Sequence, residues 1–455
     1  MQRHSERPNC NSWRSNDKKH RISIKGLNHQ RMRHFTFKLR YFFGIALLNC
    51  ILVSIFLRYY TCNFEKRIAT NNSSGDARKP KSDILRRSEK RRCKPKNNIV
   101  FLKTHKTGSS TITNILNRYG ESRGLNFVLP KIGQNRLAWP WSFQMDSFHP
   151  INGSVPNILA NHARYNSKIM HSLMPNDTLF VTILRDPVTQ FESTFSYMTL
   201  DKILGMDNSS DPLEKFFVDP QSVLVNYVLT QDLRINSDRL KLIRNGMFYD
   251  LGLESKDFDN RHRIREAISQ LDGEFDLVMM KEHFDESLIL LKRLACWDID
   301  DLVYFNQNER HTNFHRKIPS TLQSKIRRWS YADVQLYNHF NKTFWKVLKS
   351  MGPDFQEEVK LLRYKNTIMR DICLRKGNYT KTISDAADVK LLKLRKDIPF
   401  IARTMCDRMT KDEVSYLKEL REMQDQRLGK QTKKTGWSLL SPINRLLTYL
   451  KKSTR

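Results

Sequence analysis

Residues 98–120, NIVFLKTHKTGSSTITNILNRYG, leave little choice of architecture. The aliphatic run NIVFLK (98–103) reads as a buried strand. A turn with a single glycine follows, and its hydroxyl residues lead into STITNILNRYG, whose apolar spacing is helical and whose Gly120 is expected to end the helix. DTLFVTIL (177–184) and FDLVMM (275–280) repeat the strand signal. Pro187 sits where a helix can begin after the first of these. DESLILLKRLACW (285–297) follows the second and places Leu288, Leu291 and Leu294 at helical spacing. Strands alternating with helices predict an α/β domain with a mostly parallel central sheet flanked by helices. Beyond Ser320 the chain reads as mainly helical.

The turn after the first strand carries its own chemistry. A strand, a short loop with one glycine and hydroxyls entering a helix aim backbone N–H groups at a phosphate-like anion, and a lysine adds a full positive charge. The ATP-binding pattern G-x-x-x-x-G-K-[ST] does not fit, because Lys106 precedes Gly108 and no glycine lies between Asn97 and Gly108. With no evident Mg²⁺-binding acidic motif either, a nucleotide-dependent kinase is disfavoured. A second basic position, Arg185, stands at the end of the 177–184 strand, with Ser193 eight residues on. An arginine offers a bidentate fork to a phosphate, and a serine two helical turns along can add a hydroxyl donor.

Residues 41–57 carry no charge, with only Asn49 and Ser54 as strongly polar interruptions, and Arg58 closes the stretch, which follows a basic segment. Its length is near the lower limit for crossing a bilayer, Tyr59 and Tyr60 would sit at the interface, and no A-x-A-like cleavage site follows. A buried core helix is the alternative. The excess of Lys and Arg in residues 1–40 predicts a cytoplasmic tail there, a signal-anchor over 41–58 and a lumenal remainder. Asn-X-Ser/Thr sequons at Asn71, Asn72, Asn152, Asn176, Asn208, Asn341 and Asn378 all lie on the lumenal side.

Residues 59–96 are rich in Lys, Arg, Asn and Ser and read as a stem. Five cysteines would face the lumen (Cys62, Cys93, Cys296, Cys373 and Cys406), an odd number that leaves at least one free or paired between chains. No C-x-x-C occurs and no metal-binding cluster is evident. The net charge of +32 extends well beyond the first forty residues, which on charge alone admits an anionic substrate, a nucleic acid, heparin or a membrane surface. Lumenal topology and the lack of an aromatic–basic RNA motif argue against nucleic acid.

The chain resembles the galactose-3-O-sulfotransferase family in FLKTHKTGSSTITNIL (101–116), TILRDPVTQFESTFSY (182–197), NGMFYDLGLE (245–254) and FDLVMMKEHFDESLILLKRLACWDIDDLVYFNQNER (275–310). The likeness covers about residues 95–350 and departs from the family's Leu-Asn-Ala-Arg ending at Gln307, Asn308 and Glu309. It implies a P-loop-like sulfotransferase domain, placed at 97–420, with a basic C-terminal tail at 421–455. It also implies a type II Golgi membrane enzyme that moves sulfate from PAPS (3'-phosphoadenylyl sulfate), without a metal, to the 3-hydroxyl of a terminal β-galactose. The acceptor is a galactose-terminated glycolipid or another glycan, and a homodimer is left open. A catalytically silent glycan-binding relative is the contrary reading, against which the intact Lys106, Arg185 and Ser193 stand.

Within that resemblance, Lys106 is expected at the bridging oxygen and 5'-phosphate. Main-chain N–H groups of Thr107, Gly108 and Ser109 and the hydroxyls of Ser109, Ser110 and Thr111 would hold phosphate oxygens. Arg185 and Ser193 would grip the 3'-phosphate. Lys103 would lie near the sulfate, or be a solvated strand end. His105 is the candidate general base, because histidine titrates near neutral pH, or else a loop histidine that holds backbone. His162, in NHARYN (161–166), is a second candidate, with Arg164 as partner. Trp139, Trp141, Phe143 and Phe148 would either line the acceptor cleft or belong to the core. The terminal GWSLLSPINRLLTYLKKSTR (436–455) would lie on a membrane surface or pack on the domain.

Overall fold

The computed structural model describes residues 93–206, 208–230, 238–307, 317–377, 380–382 and 388–429. The expected cytoplasmic tail, the 41–58 span, nearly all of the stem and the segment 436–455 lie outside these residues.

Four strands form one parallel sheet: β1 (Ile99–Leu102), β3 (Ile158–Leu159), β5 (Leu179–Leu184) and β6 (Leu277–Met280), in the order β3-β1-β5-β6. Every residue of the four is buried, as expected of a parallel sheet covered on both faces. Ile99 pairs with Leu179 and Leu102 with Thr182, while Val181 pairs with Leu277 and Leu184 with Met280. Two further strands, β2 (Arg136–Ser142) and β4 (His162–Arg164), form a small parallel pair of their own. The three strands expected from the sequence are all present. β2, β3 and β4 were not anticipated, being short or lacking an aliphatic run.

Helices α1 (Ser109–Ser122), α2 (Ser167–Leu173), α3 (Pro187–Tyr197), α4 (Leu200–Ile203), α5 (Pro212–Phe216), α6 (Pro220–Thr230), α7 (Gly246–Asp250), α8 (Arg261–Glu274) and α9 (Phe284–Ala295) connect and flank the strands. Five more follow: α10 (Ser320–Trp329), α11 (Tyr331–Lys349), α12 (Pro353–Cys373), α13 (Phe400–Thr410) and α14 (Glu413–Gly429). The chain beyond Ser320 is therefore mainly helical, apart from a hairpin of Thr380–Thr382 with Asp388–Lys390. α9 and α11 pack on β6, and α13 and α14 pack on α1. α14 runs past residue 420 without a break, so it crosses the boundary expected between domain and basic tail.

Pro187 does begin a helix, and Asp186 caps it by accepting from the N–H groups of Val188 and Thr189. Gly120 does not end α1, contrary to expectation. The residue in the left-handed conformation past the helix is Gly124, with φ 62°. Gly120 lies inside the helix because Phe127 and Ile158 press on it: a Cβ there would lie 2.4 Å from Phe127 Cζ and 2.6 Å from Ile158 Cδ1. Gly120→Ala is therefore expected to cost about 1–3 kcal/mol through overpacking, exceeding the gain in helix propensity. A thermal or denaturant melt with an unchanged midpoint would refute this.

Of the five cysteines expected in the lumen, four form two disulfides, Cys93–Cys296 and Cys373–Cys406. Cys62 lies outside the described residues. The first bridge, with the Lys96 N–H donating to the Ala295 carbonyl, ties the end of the expected stem to α9. The second joins the end of α12 to α13 across 33 residues, a closure worth about 3–4 kcal/mol on the chain-entropy account.

Candidate functional site

Strand order explains where the site lies. β1 has β3 on one side and β5 on the other, so connections from its carboxyl end and from that of β5 diverge around a crevice, the usual binding place in an open α/β sheet. The β1 exit is Lys103–Gly108 and the β5 exit is Arg185–Asp186. They touch: Arg185 Nη1 donates to the Lys106 carbonyl at 3.0 Å, and Arg185 Nε donates to Thr189 Oγ1 at 3.0 Å. Asp186, the other potential partner of Arg185, pairs with Arg327 at 2.9 Å.

The loop is held in shape by its own hydroxyls. Thr104 Oγ1 donates to the Ile183 carbonyl of β5, and the Thr104 carbonyl accepts from Thr107 Oγ1 at 3.1 Å and Ser109 Oγ at 2.7 Å. Thr111 Oγ1 accepts the Gln307 N–H at 3.0 Å. Of the hydroxyls expected on phosphate oxygens, Ser109 Oγ donates to the Thr104 carbonyl, Ser110 Oγ donates to Glu413, and Thr111 Oγ1 accepts the Gln307 N–H. Lys106 and Gly108 have φ of 62° and 81°, and Gly108 occupies the N-cap of α1, where it has no side chain with which to close the helix. A Cβ on Gly108 would stand 3.0–3.2 Å from the Cδ, Cε and Nζ of Lys281, so the glycine admits this lysine to the loop. Lys106 Nζ lies 3.3 Å from the centroid of the Tyr197 ring at the end of α3, a cation–π contact. Ser193 itself is buried on α3.

Lys103 is no solvated strand end. It is buried, pairs with Glu413 of α14 and donates to Ser110 Oγ at 3.2 Å. Glu413, Lys411, Ser110, Asn114, Asn117 and Gln307 are among the polar residues around the cleft on that side of α1.

On the other side of the loop stands an aromatic and histidine cluster. Asp250, fully buried at the end of α7, accepts three hydrogen bonds. They come from the His105 backbone N–H at 2.8 Å, from His105 Nδ1 at 2.9 Å and from Trp139 Nε1 at 2.9 Å. A carboxylate only accepts, so Nδ1 carries a proton, and in the neutral form of the ring Nε2 is the acceptor. The His162 ring stacks on that of His105, centroids 4.0 Å apart and planes at 18°, and Trp139 leans on His105 at 4.6 Å. His162 Nδ1 is buried without a hydrogen-bond partner. Burial foremost, with the nearby cations Lys103, Arg136 and Lys106 adding to it, holds this imidazole well below the usual histidine pKa, hence neutral near pH 7. α7 is fixed from behind by Asp333, which accepts from the N–H groups of Met247 and Phe248 at 3.2 and 2.8 Å. Burial pushes the Asp333 carboxyl up to about 7 against the pull of those N–H groups.

Arg164, expected to partner His162, serves the loop after α7 instead. It donates to the carbonyls of Tyr249 and Leu253 at 3.0 Å each and pairs with Glu254 at 2.9 Å. Of the four aromatics, Trp139 and Phe143 are buried, Phe148 packs against the core and Trp141 is exposed. Trp139 is both core and site, since its indole N–H holds Asp250.

The full sequence matches the profile of the galactose-3-O-sulfotransferase family over residues 27–424. The galactosylceramide sulfotransferase of Homo sapiens is 32% identical over 369 residues, 77% of this chain and 84% of the relative. Galactose-3-O-sulfotransferase 2 of Sus scrofa is 34% identical over 344 residues, 72% of this chain and 84% of the relative. The chain belongs to the galactose-3-O-sulfotransferase family. It is therefore an enzyme of galactose 3-O-sulfation, and the loop and cluster lie within the matched region of this sulfotransferase. Among the groups the sequence did not single out for this sulfotransferase are Asp250, Glu413, Lys281 and Tyr197. Asp250 lies 145 residues from His105, and its one sequence-level mark is an acid inside the apolar run GMFYDLGL.

Proposed function

We propose that this enzyme transfers the sulfuryl group of PAPS to the 3-hydroxyl of a terminal β-galactose on a glycolipid of the galactosylceramide type. The observation that carries the reading is the adjacency, within residues 103–108, of an anion-binding turn and a buried histidine whose Nδ1 is held by a carboxylate. PAPS, when bound, supplies an already activated sulfuryl group. The residues present suit it: a glycine-capped helix start for the 5'-phosphate, Lys106 and Lys281 for its charge, and Arg185 with Ser193 for the 3'-phosphate. His105 Nε2 takes the proton of the acceptor hydroxyl as its oxygen bonds to sulfur and the S–O bond to the donor phosphate breaks. Lys106 balances the charge left on that phosphate oxygen. The stacked, neutral His162 offers the sugar a further polar contact, and Lys103 with Glu413 fixes the start of the loop.

The glycolipid acceptor is supported by the human relative's name, while the galactose-3-O-sulfotransferase 2 relative, 34% identical against 32%, is named for galactose alone. A panel of galactosylceramide, lactosylceramide and N-acetyllactosamine glycans with labelled PAPS decides between glycolipid and glycan acceptors. Galactosylceramide should be the preferred acceptor, and exclusive turnover of the free glycans would overturn that choice. We place residues 1–40 in the cytoplasm, 41–58 in the Golgi bilayer and the domain in the lumen. The sequons Asn152, Asn176 and Asn208, which are exposed, support this orientation. Glycosidase-resistant, unshifted mobility of the expressed protein would count against it.

Arg185→Ala is expected to raise the KM for PAPS by about tenfold or more, with Ser193→Ala smaller, since a charge-assisted contact is roughly twice as strong as a neutral one. An unchanged KM in the arginine variant would remove both residues from the donor site.

A further inference from the structure

α6, PQSVLVNYVLT, carries no charged residue in a chain with 28% charged residues. Its aliphatic side chains lie on two sides, with Gln221, Ser222, Asn226 and Thr230 exposed among them. Val223 and Leu224 are half-buried and pack against the core. On the opposite side Val225, Val228 and Leu229, at i, i+3 and i+4, are 58%, 59% and 79% exposed, and Val218 just before the helix is 78% exposed. A group of exposed aliphatic side chains on one helix face suits a binding surface.

Its position narrows what covers it. The excursion that contains α6 leaves from the end of α3, the helix of Ser193, and Phe191 of α3 packs on Phe216 and Phe217 just ahead of α6. It returns to the site as well. Arg239 donates to the Met198 carbonyl and to Thr199 Oγ1, while Asp238 pairs with Arg136, which lies over Trp139. The apolar face is thus borne by a segment clamped at both ends to the catalytic crevice. Residues 59–92 cannot reach farther than about 120 Å whatever their conformation, so a span at 41–58 would tether the domain within that distance of a bilayer. A glycolipid acceptor is itself anchored in that bilayer by its hydrocarbon chains.

We infer that α6 is a membrane-docking helix that seats Val218, Val225, Val228 and Leu229 among lipid acyl chains and so brings the crevice to galactose headgroups at the bilayer surface. The inference rests on the glycolipid reading proposed above. It makes acceptor presentation, and not the sulfuryl transfer itself, the step that depends on α6.

The test uses the full chain reconstituted in phosphatidylcholine vesicles, as wild type and as Val225→Glu/Leu229→Glu. With galactosylceramide in the vesicles, the double variant is expected to lose about tenfold or more in turnover, since two buried apolar contacts become charges. Turnover of a soluble β-galactoside should stay within about twofold, as for a surface substitution. In vesicles free of galactose, a phosphatidylcholine with a photoactivatable acyl chain should label residues 220–230 of the wild type and not of the variant. Labelling confined to other segments, equal rates on both acceptors or joint loss of both would each overturn the inference. Should the wild type ignore galactosylceramide but sulfate the soluble sugar, the glycolipid reading falls, and the labelling pattern alone still decides the docking.

Discussion

Lys106→Ala is expected to lower kcat by about 10²–10³, the usual effect of removing one preorganised group that stabilises developing charge. The side chain is placed for this by three independent features: a left-handed backbone at the loop's apex, the Arg185 bond to its carbonyl and the Tyr197 ring beneath its ammonium. Alanine meets the same positive φ as lysine and carries no branch, so the backbone conformation is no more strained in the variant than in the parent. The melting midpoint should accordingly change little while turnover collapses. More than a tenth of wild-type kcat in the variant would take Lys106 out of the transition state.

His105→Ala should lower kcat by about 10²–10⁴ if His105 is the base, with the KM for PAPS much less affected. The structure adds a second arm. Asp250 is the acceptor for three N–H groups, two of them from His105 itself. Asp250→Asn keeps the volume but replaces half of that acceptor capacity with donors, so it should disturb the imidazole tautomer and lower kcat by about 10²-fold or more. A merely structural role for Asp250 would lower the melting midpoint and leave the shape of the kcat–pH profile intact. The acidic limb of that profile distinguishes the two histidines. His162 is held neutral to below the ordinary histidine range, so a limb of its own would fall at lower pH. The limb should vanish in His105→Ala and persist in His162→Ala. If only His162→Ala abolishes it, while His105→Ala changes PAPS binding alone, the roles given to the two are reversed.

The strand–turn–helix of residues 98–120 and the alternation that makes an α/β sheet were both legible in the sequence. Each rests on near neighbours: aliphatic runs of strand length, a glycine where the turn needs a left-handed residue, a proline at a first helical turn. The Pro187 start was readable for this reason, whereas Gly120 was misread because its cause is the side chain of Phe127 and of Ile158, the latter 38 positions on. Which hydroxyls of the loop are left to meet a ligand was equally invisible, because Thr104, Thr107 and Ser109 form a network that closes on β5.

The rest was decided by tertiary structure. The pairing of Cys93 with Cys296 and of Cys373 with Cys406 depends on the fold that brings those residues together. The Lys103–Glu413 pair spans 310 positions, and the Asp250 bond to His105 spans 145. No local pattern marks such partners, since a buried acid in an apolar run looks like any helix-end aspartate until a strand exit is packed against it. Sequence by itself determined that the chain carries a lysine- and glycine-containing turn at the end of a parallel strand, because backbone geometry and charge at that turn are local properties. Tertiary packing alone decided which charge faces which, because burial of an ionised group is tolerated only where the fold delivers its partner.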